Sequence, residues 1–216
     1  MLSFAMGAET FNFVILSFWS LFVIVDPIGL VPAFLAMTEQ SSPKDRIRTA
    51  KLASIVTFFV LLLFAIGGNL ILKSFSITIP AFEIAGGIIL LKIALDMLQA
   101  RRTALKETPE EQAEGSTKDD IAITPLAVPM LAGPGAITAV VLLAQQSSGI
   151  FQTSIVVVNI FVVSLITFLV LRIAASKSSI FSAITLKIMS RLMGLLLAAI
   201  AVQFILNGVQ NGISLW

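Results

Sequence analysis

Long apolar stretches, each able as a helix to cover the roughly 30 Å of a bilayer's hydrocarbon, alternate along this chain with short polar connections. They predict membrane spans over residues 11–37, 51–72, 80–98, 124–145, 153–174 and 186–207. The first and fourth of these are interrupted. In the first, Asp26-Pro27-Ile28-Gly29-Leu30-Val31-Pro32 places an acid, two prolines and a glycine where a membrane helix should be continuous. In the fourth, the break runs from Pro129 through Gly133-Pro134-Gly135 to Thr138. Inside hydrocarbon every backbone N–H and C=O needs an internal partner, so broken helices persist only where they are packed in protein or line a cavity. An acid at that depth marks a functional site.

The predicted fold is all-α, a polytopic membrane protein of six transmembrane helices with helices 1 and 4 discontinuous. Residues 1–216 form a single membrane domain, with three spans on each side of a Glu-rich polar linker at 101–122. Sliding the chain by roughly one half lays Pro27 near Pro134 and Phe82-Glu83-Ile84-Ala85-Gly86 on Ser190-Arg191-Leu192-Met193-Gly194. The halves, 1–100 and 123–216, each hold three spans, which makes the repeat inverted, as in many transporters whose sites form between broken helices at the midplane. At 1.5 Å per residue both breaks fall roughly 15 to 20 Å into their spans, so they can meet.

Composition fits this reading. Of 216 residues 57% are hydrophobic and 12% charged, with a mean hydropathy of +1.02; soluble domains carry about twice that charged share. The formal charge of +2 does not imply nucleic acid, because the basic residues flank spans, where topology accounts for them. Lys44, Arg46, Arg48 and Lys51 follow the first span, Arg101, Arg102, Lys106 and Lys118 the third, and Arg172, Lys177 and Lys187 the fifth. Those connections are expected in the cytoplasm, with both termini outside and the protein in the cytoplasmic (inner) membrane. The first ten residues hold no Lys or Arg, so the first apolar run reads as a retained span rather than a cleaved signal.

The chain has no Cys and no His. No disulfide, thiolate metal site or cofactor is expected, and enzyme chemistry is disfavoured because Asp26 has no second mid-membrane acid to pair with. No Gly-rich phosphate loop ending in Lys-Ser or Lys-Thr points to ATP.

The candidate substrate site comprises Asp26, Pro27, Gly29, Pro32, Gly133, Pro134, Gly135 and Thr138. A helix N-terminus attracts a carboxylate, while an acid and freed carbonyls attract an ammonium or cation, so a small zwitterion suits both ends. Gly133 and Gly135 let the backbone approach a ligand, and Thr138 adds a hydroxyl. Two plainer readings stand beside these: a proline kink capped by Asp26, and close helix packing through small residues. Glu83 is expected in the first turn of the third span, where the helix dipole favours an acid, and Arg191 near a span end, where it can snorkel. Lys92 and Asp96, four apart, are expected to pair. Asn12, Asn69, Asn159, Gln203 and Asn207 are candidate polar contacts between helices, and Gly67-Gly68, Gly86-Gly87 and Ala198-Ala199-Ala201 candidate close-packing faces.

At Asp26-Pro27-Ile28-Gly29-Leu30-Val31-Pro32 and Gly133-Pro134-Gly135-Ala136-Ile137-Thr138 the chain resembles the MarC family of integral membrane proteins. The likeness extends to Ala85-Gly86-Gly87-Ile88 and to Arg191-Leu192-Met193-Gly194-Leu195. The resemblance implies kinship with amino-acid exporters similar to the lysine exporter, and a small neutral amino acid such as glycine or alanine as substrate. Protons or sodium as coupling ions and a homo-oligomeric state are left open, as is the alternative of a channel or ion-coupled flux protein.

Overall fold

The computed structural model describes residues 2–99, 121–147, 149–176 and 183–214. Its elements are all helices: α1 (Leu2–Val25), α2 (Val31–Met37), α3 (Pro43–Ser74), α4 (Ile79–Leu98), α5 (Ala122–Leu131), α6 (Pro134–Gln146), α7 (Ile150–Ser176) and α8 (Ala183–Ile213). The linker expected at 101–122 lies outside the described residues except for its last two, which belong to the start of the α5 segment. Arg101, Arg102, Lys106, Lys118 and Lys177, on which the orientation argument leans, lie outside them as well.

Among the described residues three helices are long and apolar enough to cross a membrane unaided: Pro43–Ser74, Ile150–Ser176 and Lys187–Ile213. The bent pair Ala122–Leu131 and Pro134–Gln146 makes a fourth if counted as one span. Two of the expected spans fall short for physical reasons. The apolar stretch Thr10–Val25 is cut short where the chain reaches Asp26, and α4 carries Glu83, Lys92 and Asp96 within its 20 residues. The membrane-crossing helices present continuous apolar stripes outward, Ile55, Phe59, Leu63, Ile66 and Leu70 on α3 and Val158, Phe161, Leu165, Leu169 and Ile173 on α7. Such faces suit lipid contact. The protein is therefore an integral membrane protein built of helices.

Helix ends follow the local chemistry. Ser42 caps α3, its hydroxyl accepting from Asp45 N–H at 3.3 Å, with Pro43 at the first helical position. Thr78 caps α4 in the same way. That cap starts α4 at Ile79, so Glu83 stands at the fifth helical position and not in the first turn as the sequence suggested; it is buried, and Asn211 Nδ2 donates to its Oε2 at 3.3 Å. Lys92 and Asp96 share α4 without forming the expected ion pair among the described residues.

Short turns at 38–42 and 75–78 reverse the chain, and it reverses again between the end of α6 at Gln146 and the start of α7 at Ile150. In the first, Arg46 spans the turn, donating from Nε to Thr38 O and from Nη2 to Glu39 O, both at 2.9 Å. α4 runs antiparallel to α6, since Gly86 faces Thr138 while Leu90 faces Gly135. It follows that α3 is parallel to α6 and antiparallel to α7.

α4 and α8 form the most extensive helix pair. Glycines bring their backbones together: a Cβ on Gly87 would lie 2.8 Å from Ala201 O, and one on Gly208 2.8 Å from Pro80 O. Small residues at such crossings let helices approach where no hydrophobic driving force acts between them. Of the glycine pair in α3, Gly68 packs against Val141 while Gly67 faces open space. Leu21, Val31, Phe34, Leu61, Leu131 and Val140 lie in the buried core around the two breaks.

Candidate functional site

The chain leaves α1 at Val25 and turns sharply at Asp26, whose φ of 45° is left-handed. L-residues avoid that region, and Asp and Asn tolerate it best because a short polar side chain bonds locally. Here Asp26 Oδ1 accepts from Gly29 N–H at 3.0 Å, while Asp26 O accepts from Leu30 N–H at 3.2 Å. Gly29 is required by this fold-back, because a Cβ there would collide with the Asp26 carboxylate. Pro27 is buried, and Asp26, Gly29 and Pro32 are half-buried. Pro32 sits at the start of α2, whose N-cap, Leu30, supplies no side-chain bond. Asp26 forms no ion pair among the described residues.

The second break is wider than the sequence indicated. Thr124 and Val128 take extended backbone angles inside α5, each directly before a proline, as the clash with the proline ring demands. The segment is loosely wound, with Ala132 N–H reaching Ala127 O at 2.7 Å, and α5 meets α6 at 57°. Gly133 is the N-cap of α6 and has no side chain to offer, so the N–H groups of Gly135 and Ala136 are left without a capping partner. Gly133 and Gly135 are buried; Pro134 is exposed. Thr138 is buried, and its hydroxyl donates to Pro134 O at 2.8 Å.

The breaks meet on one side. A Cβ on Gly135 would lie 3.8 Å from Ile24 Cγ2, two residues before Asp26. α4 covers the same stretch of α6, with Leu90 against Gly135 and Gly86 against Thr138 one turn on. Elsewhere among the helices are polar groups that the sequence did not single out or did not place. Asn159 on α7 donates to Ser17 Oγ at 2.8 Å and Val14 O at 3.1 Å on α1, the interhelical bond expected of it. Gln203 and Asn207 instead bond each other along α8 at 2.7 Å, and Asn12 and Asn69 are exposed. The buried hydroxyls of Thr57 and Ser164 have no partner among the described residues. Nothing in an apolar helical run distinguishes them from Ser54 and Thr167, whose hydroxyls bond Ala50 O and Val163 O of their own helices. Among the described residues no group of three or more Asp or Glu is assembled that would hold a metal.

The model of the MarC family of integral membrane proteins matches residues 11–213, which takes in both breaks and every helix that forms the site. The chain belongs to that family. Its relatives include two UPF0056 membrane proteins of Methanocaldococcus jannaschii. One is 40% identical over 201 residues, covering 93% of this chain and 88% of its own, and the other 41% identical over 202 residues, covering 94% and 98%. The UPF0056 membrane protein YvbG of Bacillus subtilis is 39% identical over 202 residues, covering 93% and 96%. No solved structure matches the chain. Membership of the MarC family fixes an integral membrane protein and leaves its activity to be argued from the site.

Proposed function

We propose that this MarC-family protein is a secondary transporter, an exporter or exchanger, of small neutral amino acids such as glycine or alanine. The observation that carries the reading is the contact of two interrupted helices, Ile24 against Gly135, with an acid on one side and an uncapped helix N-terminus on the other. The Asp26 carboxylate offers a partner to an ammonium or a proton, and the Gly135 and Ala136 N–H groups offer one to a carboxylate. Pro27, Gly29 and Pro32 hold the first break open, and Gly133, Pro134 and Thr138 shape the second.

The order of elements supports two related halves: a broken helix, a long helix and another helix, occurring twice. In this reading α1–α2 and α5–α6 each count as one discontinuous span, the halves form an inverted repeat of three spans within one membrane domain, and transport is a rocking of one half on the other. Both termini then lie outside the cytoplasm, the protein sits in the cytoplasmic membrane, and the basic residues around Arg46 and Arg172 lie on its inner side.

Counterflow of labelled glycine and alanine in proteoliposomes tests the proposal, comparing the wild-type chain with Asp26→Asn. Saturable flux that the substitution abolishes is expected. Flux no greater than that of empty liposomes, with a proton or sodium gradient of either sign, would reject a transporter of these solutes; current that rises with voltage and needs no organic solute would put a channel in its place.

A further inference from the structure

Thr57 of α3 is fully buried and Ser164 of α7 is 5% exposed, yet neither hydroxyl makes a hydrogen bond among the described residues. A helical Ser or Thr has a ready partner in the carbonyl four residues back, and Ser54 and Thr167, neighbours on the same two buried faces, use it. Thr57 and Ser164 do not, so two donors are held unused inside the protein.

Their heights along the helices agree. The rings of Phe58 and Phe161 stand 5.9 Å apart across the two helices. Thr57 precedes one by a residue and Ser164 follows the other by three, and the helices are antiparallel, so the hydroxyls differ in height by roughly 3 Å. α3 also packs along both α5 and α6, and its middle therefore passes the joint between them. From the Gly68–Val141 contact, Thr57 lies roughly 16 Å down α3 and Gly135 roughly 9 Å down α6, which puts the hydroxyl about 7–8 Å beyond the Gly135 N–H, on the side toward which the free N–H groups of the α6 N-terminus point.

We infer that Thr57 and Ser164, together with the Gly135 and Ala136 N–H groups, form the subsite that takes the carboxylate of the transported solute. This rests on the transporter reading above and adds to it a recognition element on α3 and α7. The chemistry is coherent: hydroxyls and amides both donate to an anion, no acid stands among them, and an oriented set of neutral donors holds a carboxylate without bringing a compensating charge into the membrane. Asp26 is left for the opposite end of the solute.

The test uses the full-length protein in detergent and in proteoliposomes, with Thr57→Val and Ser164→Ala. Thermal unfolding is followed in acetate, in chloride at matched ionic strength, and in acetamide. The wild type is expected to be stabilised by acetate alone, and each variant to need about tenfold more acetate for the same stabilisation or to lose it. Without any ligand the variants should melt no lower than wild type, since they remove an unsatisfied buried hydroxyl. The inference is overturned if the wild type does not respond to acetate, if both variants respond as the wild type does, or if both melt markedly lower unliganded, which would make the hydroxyls structural. Alanine uptake in the same preparations separates the two claims: an acetate response without alanine flux counts against the transporter reading and leaves the subsite standing.

Discussion

Asp26 caps a turn and, in the proposed transporter, faces the solute, and substitution can divide these two roles. Asp26→Asn keeps an acceptor oxygen for Gly29 N–H, now held at 3.0 Å, and a residue type that tolerates φ 45°. Its unfolding free energy should stay within about 0.5 kcal/mol of wild type, as Asp and Asn cap equally well. Asp26→Ala removes the acceptor, a loss of about 1 kcal/mol, and places alanine in the left-handed region, a further 1–2 kcal/mol or so. The two effects share one turn and need not add fully, which leaves an expected destabilisation of about 2 kcal/mol. Denaturant-titrated unfolding in detergent micelles reads these differences, alongside uptake in proteoliposomes. The expected pattern is an Asn variant that folds like wild type but does not transport, and an Ala variant deficient in both. If Asn is as destabilised as Ala, the turn depends on the charge and the capping argument is wrong; if Asn transports at the wild-type rate, Asp26 is a cap and nothing more.

Asn159→Leu removes two bonds to α1 and should lower stability by about 1 kcal/mol, taking roughly 0.6 for each bond in a membrane interior, measured in the same titration. Gly87→Ala should lose about 1–3 kcal/mol by forcing α4 off the Ala201 carbonyl, whereas Gly67→Ala, facing open space, should gain about 0.5–1 kcal/mol from helix propensity alone; thermal melts of the pair check both signs. Arg46→Gln loses the charged bridge to Thr38 O and Glu39 O and should destabilise by roughly 1–2 kcal/mol. Faster proteolysis of the 38–42 turn in that variant would report the loss.

What the sequence makes legible here is local. Asp26 with Pro27 and Gly29, and Gly133 with Pro134, each announce a break through backbone chemistry confined to a few residues, and each is where the structure has it. Errors arise one step further out. Reading Pro80 as the start of α4 overlooked the Thr78 cap, which begins the helix one residue earlier and puts Glu83 just past the first turn, while its contact with Asn211 comes from α8, far along the chain. Starting the second break at Pro129 missed the extended Thr124 and Val128 just before it, each set by the proline that follows. Partners distant along the chain left no trace: Asn159 looked the same as Asn69, yet only Asn159 finds a neighbour, some 140 residues away on α1. Thr57 and Ser164 were invisible for a related reason, since an unused hydroxyl differs from a used one only in the surroundings that packing creates.

The glycine-stitched pairing of α4 with α8 also bears on how the protein is made. α4 carries three ionisable residues in 20 and does not qualify as a membrane span alone, and the helix that covers its Glu83 is the last element of the chain. At about 5–20 residues per second, a ribosome completes α8 many seconds after α4 has emerged. Through that interval Glu83 has no Asn211 to meet it, so α4 is expected to wait at the translocon or at the membrane surface and to take its final depth only when the C-terminal helix arrives. Single cysteines introduced into α4 of this cysteine-free chain should then react with aqueous labelling reagents in chains truncated after α7, at sites that the full-length protein seals.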